Sequence, residues 1–95
     1  MNQTELNQAA KAAVTDTVSA MAFAKKHGTN LPAEEVAKAL HSEEGAALTE
    51  EQVARALYSK EGADLSEEVV ARALETLYGA SLSDEEIEGA LKAAL

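Results

Sequence analysis

The chain has no cysteine, no tryptophan, one proline and three aromatic side chains (Phe23, Tyr58 and Tyr78) among its 95 residues. Without cysteine, neither a disulfide nor a thiolate-bound zinc can staple the fold. No run approaches the ~18 apolar residues of a membrane span. The first thirty residues also lack a basic start followed by an apolar stretch, the mark of a signal peptide. A soluble, cytoplasmic protein is expected. Positive charge is scarce as well: Lys and Arg number 8 against 17 Asp and Glu, for a net charge of −9. That balance argues against gripping a phosphate backbone, whose affinity comes from lysine and arginine.

What remains is 46% apolar, yet 21 of those residues are alanine and only 23 positions carry a larger side chain. One thin core is therefore expected, and residues 1–95 are expected to form a single domain. The apolar positions are strongly ordered. Glycines stand at 28, 45, 62 and 79, in steps of 17. Leu31, Leu48, Leu65 and Leu82 keep the step, as do Val36, Val53, Val70 and Ile87. Ala39, Ala56, Ala73 and Ala90 keep it too, followed by Leu40, Leu57, Leu74 and Leu91. Glu34, Glu51, Glu68 and Glu85 complete the register. Four tandem units of 17 thus cover residues 28–95.

Each unit reads as one short helix and one tight loop. Thr49, Ser66 and Ser83 stand where a hydroxyl can cap a first turn, and Pro32 replaces them in the first unit. Gln52 and Glu86 lie three residues past their caps, as a capping box requires. Leu48/Val53, Leu65/Val70 and Leu82/Ile87 are spaced as hydrophobic staples. The glycines fall where each helix must stop, and positive φ is expected of them. Glu34/Lys38, Glu51/Arg55 and Glu68/Arg72 are spaced as i,i+4 ion pairs. Val69 and Leu77 widen the apolar surface of the third unit, so its helix is expected at the centre.

Residues 3–27 differ. Leu6, Ala10, Ala13, Val14, Thr17, Met21 and Ala24 share one stripe of a 3.6-residue period, which predicts a long N-terminal helix over residues 1–27. Phe23 precedes Gly28 by five, as Leu40 precedes Gly45, so Phe23 is expected to cap the repeat core. The weak helix formers Thr15-Asp16-Thr17-Val18-Ser19 offer the competing outcome, a break near Val14 and Thr15. The fold class is thus all-α: a long first helix followed by four short helices in a compact array.

An unbroken helix over 3–27 would reach ~37 Å, against ~18 Å for twelve residues. Its overhang would leave Leu6, Ala10, Ala13 and Val14 uncovered, and Leu6, Ala10 and Val14 are candidate interface residues for a homodimer. Tyr58 and Tyr78 are the other candidates, since tyrosine is favoured at contact hot spots.

Nothing in the pattern resembles a catalytic constellation. The paired glutamates recur at exposed helix starts rather than in one cleft with unlike environments. His27 and His41 lie near two different helix ends, where a cationic ring favours the helix dipole. No ligand cluster for zinc or calcium is spaced in the sequence, and no glycine-rich loop could cradle phosphate. No cofactor and no metal are expected. Nine of the fifteen acids in residues 28–95 sit in first helical turns, where the macrodipole favours them. The acidic surface also fits a nucleic-acid mimic that fills a basic groove on another protein.

Gly62-Ala63-Asp64-Leu65-Ser66 and the stretch through Glu86 resemble the middle of an acyl carrier protein. That family is small, acidic and helical, with a phosphopantetheine on the serine directly after an aspartate. Here Leu65 follows Asp64, and Ser66 comes one place late. Leu48-Thr49-Glu50-Glu51-Gln52-Val53 is similar to the opening of transcription-activator-like effector repeats, but the period is half as long and the charge is wrong for DNA. The function expected is therefore non-enzymatic: a small acidic interaction module, an inhibitor or adaptor of another protein of the phage or mobile-element antagonist type. A carrier-like protein and a designed helical-repeat scaffold are the alternatives.

Overall fold

The first stretch of weak helix formers ends the first helix. In the computed structural model, which describes residues 2–28, 30–78 and 84–93, residues 3–27 form two helices instead of one. α1 spans Gln3–Ala13 and α2 spans Thr17–His27. Val14 turns to an extended conformation, and Asp16 opens α2 by accepting the Ser19 amide at 2.8 Å. The Ser19 hydroxyl oxygen in turn accepts the Thr15 and Asp16 amides at 2.8 and 3.0 Å. Asp and Ser compete with the helix for backbone groups and so favour such caps. The long first helix expected from the stripe is thereby corrected.

Four helices follow: α3 (Ala33–His41), α4 (Glu50–Tyr58), α5 (Glu67–Tyr78) and α6 (Asp84–Ala93). Their starts follow the capping chemistry of the sequence. Thr49 and Gln52 close a reciprocal capping box, and Ser66 accepts the Val69 amide at 3.3 Å. Pro32 begins α3 without a side-chain cap. The Ser83 cap and the Leu82/Ile87 staple lie outside the described residues and side chains. Glu34, Glu35, Glu50, Glu51, Glu67 and Glu68 occupy first turns as the dipole favours.

The loops after α3 and α4 hold the same set of bonds. The Ala46 amide donates to Ala39 and the Leu48 amide to Leu40, at 3.0 and 2.8 Å. Ala63 to Ala56 and Leu65 to Leu57 repeat this at 3.0 Å each. These bonds satisfy carbonyls that a helix end leaves unpaired. The left-handed residues of the two loops are Ala47 (φ 53°) and Asp64 (φ 52°), not the glycines. Gly45 and Gly62 serve close approach instead: a Cβ there would strike the carbonyl oxygen of Ala39 or Ala56. For Gly45 and Gly62 the expected positive φ belongs two residues later; Gly28 is right-handed (φ −67°), and Gly79 lies outside the described residues.

The helices stack in alternation. α1 packs on α3 and α3 on α5, while α2 packs on α4 and α4 on α6, more extensively than chain neighbours pack on each other. The result measures 32 × 26 × 22 Å. α3 and α4 are central, each touching four other helices, whereas α5 touches three. The central place expected for α5 is corrected, and Val69 on it is 36% exposed.

One apolar cluster joins all six helices. Its spine is Leu6, Phe23, Leu40, Leu57, Leu74 and Leu91, each 17 residues from the last and none more than 5% exposed. Phe23 therefore sits where the sequence placed it, but Leu6 extends the column one helix further. Leu48 and Leu65 only flank the cluster, half-buried. Among the described residues, Glu34/Lys38, Glu51/Arg55 and Glu68/Arg72 form no ion pair; the exposed Glu88 and Lys92 approach to 3.9 Å. Exposed pairs gain little in water against the entropy of two long side chains.

Candidate functional site

The same break that divides α1 from α2 decides the fate of three candidate residues. Leu6, Ala10 and Val14 are 1%, 0% and 8% exposed, packed into the core of their own chain. Of the stripe on which an N-terminal homodimer would rest, Ala13 alone stays exposed, because the folded-back helix buries the other three within the chain. Tyr78 closes α5, and its side chain lies outside the described set.

Tyr58 is placed differently. It ends α4 and is half-buried. A cleft of about 530 Å³ opens beside it, with Met21 of α2 and Leu65 forming apolar wall. Arg55 and Lys60 supply cations to its rim, and Glu61 and Asp64 supply carboxylates. The Ser59 hydroxyl donates to the Met21 sulfur at 3.2 Å, which ties the loop after α4 to α2. A second cleft of about 220 Å³ is also lined by Tyr58, together with Leu91, Glu88 and Lys92 of α6. One aromatic thus borders two hollows. A ring with an apolar body and a polar tip suits a surface where a partner meets both a dry wall and a wet rim.

A third hollow, missed by sequence reasoning, lies between α1 and α2. About 270 Å³ in volume, it is lined by Ala9, Ala13, Ala22, Phe23, Lys26 and His27 among others. The Phe23 and His27 rings stand 4.5 Å apart at 48°. Burial, and secondarily the Lys26 ammonium, holds the His27 imidazole below its ordinary pKa. That shift works against a cationic ring at the helix end, the role the sequence suggested. His41 contributes a hydrogen bond, its Nδ1–H donating to the Leu48 carbonyl at 3.0 Å.

The hydroxyl of Ser66 is engaged as the cap of α5, the role the repeat register assigns it. Among the described residues, no three His, Asp or Glu side chains converge where a metal could be held. No helix there is long and apolar enough to cross a membrane. The chain matches no protein-family model, no curated protein and no solved structure.

Proposed function

We propose that this chain is a non-enzymatic protein-interaction module, an inhibitor or adaptor, which meets its partner at the Tyr58 cleft. The carrying observation is that Tyr58 borders two hollows, with Met21, Leu65 and Leu91 as apolar wall. Aromatic anchors beside such hollows, ringed by charge, are where binding energy concentrates. The framework that presents the cleft is taken as a tandem array of 17-residue units. The matching bonds of the two loops after α3 and α4 support that assignment.

Affinity capture from the native host, read by mass spectrometry, tests the proposal when three proteins run in parallel. These are the parent chain, Tyr58→Ala, and Glu43→Ala as an exposed control away from the cleft. The proposal expects one protein retained by the parent and the control and lost with Tyr58→Ala. Retention by all three would place the contact elsewhere.

A further inference from the structure

Burial along two columns of residues shows where the helical array is open. Ala20, Ala37 and Ala54 are 0% exposed, but Ala71, the next at the same spacing, is only half-buried, and Glu88 after it is exposed. The first three stand on α2, α3 and α4, each with the helix two places later stacked upon it; α5 and α6 have no such neighbour among the described residues. The second column behaves in reverse. Ala39, Ala56, Ala73 and Ala90 are no more than 4% exposed, while Ala22 and Glu5 are open. α3 to α6 each have a helix two places earlier, and α1 and α2 have none. One column therefore faces the later neighbour and the other the earlier.

The two open ends differ in charge. Residues 1–27 carry a net +1, with Lys25 and Lys26 exposed within about a turn of Ala22. The opposite end exposes Glu68 and Glu75 on α5 and Glu85 and Glu88 on α6, with Lys92 as the cation among them, 3.9 Å from Glu88. On α2, Val18 is 70% exposed and shares an outward stripe with Ala22 and Lys25.

We infer that a second copy of this chain docks head to tail, its α1 over α5 and its α2 over α6. This continues the stacking rule that already joins helices two apart. In that register Ala22 of the second copy meets Glu88, with the second copy's Lys25 and Lys26 about a turn away to answer the α6 glutamates. Glu5 of the second copy meets Ala71. The contact is heterologous, using different surfaces on the two copies, so it extends rather than closing as a two-fold pair. It borders the smaller hollow beside Tyr58 through Glu88 and leaves the larger cleft, walled by Met21 and Leu65, untouched.

Sedimentation equilibrium of blocked variants tests the inference. Ala22→Glu disables one end and Ala71→Glu the other, while circular dichroism checks that both remain helical. The parent should show a mass that rises with concentration. Each variant alone should remain a monomer, and an equimolar mixture should form a one-to-one pair and nothing larger. Should Ala71→Glu fail to fold, the exposed pair Glu85→Lys with Glu88→Lys takes its place, mixed with Lys25→Glu/Lys26→Glu. Each charge-reversed protein should associate at least tenfold more weakly than the parent, and the mixture should recover. A parent that stays monomeric up to millimolar concentration overturns the inference, as does a blocked variant that associates like the parent.

Discussion

Asp16 and Ser19 hold each other at both ends: the carboxylate accepts the Ser19 amide at 2.8 Å, and the Ser19 hydroxyl oxygen accepts the Asp16 amide at 3.0 Å. This reciprocal cap turns one amphipathic segment into two helices. The Ser19 amide, then its hydroxyl, then the Val18 amide hold the Asp16 carboxyl below its ordinary pKa. A carboxyl depressed by folding stabilises the fold above its unfolded value, about 3.9, and loses that contribution as pH falls through the folded value. Asp16→Ala should lower the urea midpoint at pH 6, and the gap from the parent should close below about pH 4. Asp16→Asn should keep the cap without the pH dependence.

His27 provides a second pH prediction, of the same sign but nearer neutrality. Its folded pKa lies below its unfolded value, about 6.5, so the folded chain binds fewer protons between the two. The contribution is complete above that value and declines as pH falls through it. Proton NMR should show His27 titrating below free histidine. Relative to His27→Gln, the parent should lose stability as the pH is lowered from 7.5 to 5.5, about one unit on either side of that value.

The glycines should respond in opposite directions. Gly45→Ala or Gly62→Ala drives a Cβ into a helix carbonyl and should cost about 1–3 kcal/mol. Gly89→Ala meets nothing and should stabilise the isolated chain by about 0.4–1 kcal/mol. Thermal melts of the three variants at one low concentration provide the comparison.

Leucines in the spine should outweigh those in the staples. Leu57 is fully buried, and Leu57→Ala should cost about 2–5 kcal/mol. Leu65 is half-buried at the edge of the cluster, so Leu65→Ala should cost less than Leu57→Ala in the same urea titration. Equal losses would mean that the staple leucines are as deep as the spine.

Helical class, cap residues and the buried Val36, Ala39 and Leu40 columns were legible because each repeats at a fixed step against a simple chemical requirement. Leu6 obeys the same step, yet its unit lacks the glycine, the staple leucine and the hydroxyl-capped loop that mark the others. α1 and α2 are joined by Val14-Thr15-Asp16 instead, so the sequence marks the column only from Phe23 onward. The stripe through Leu6, Ala10 and Val14 was read correctly as apolar. Periodicity alone does not say whether such a stripe is covered by its own chain or by another. Alternate stacking also escaped detection, because the sequence shows which residues recur but not which helix lies over which. Tyr58 was singled out by type, while its two hollows depend on Met21 and Leu91, far away in the chain.

The first segment belongs to the core of its own chain. Ala10→Glu tests this most directly, by urea denaturation followed through the helical signal. Ala10 is 0% exposed, and an unpaired carboxylate there is costly. The prediction is a large fall in the midpoint for the whole chain in one transition. An unchanged midpoint, with residues 28–95 unfolding as before, would contradict it.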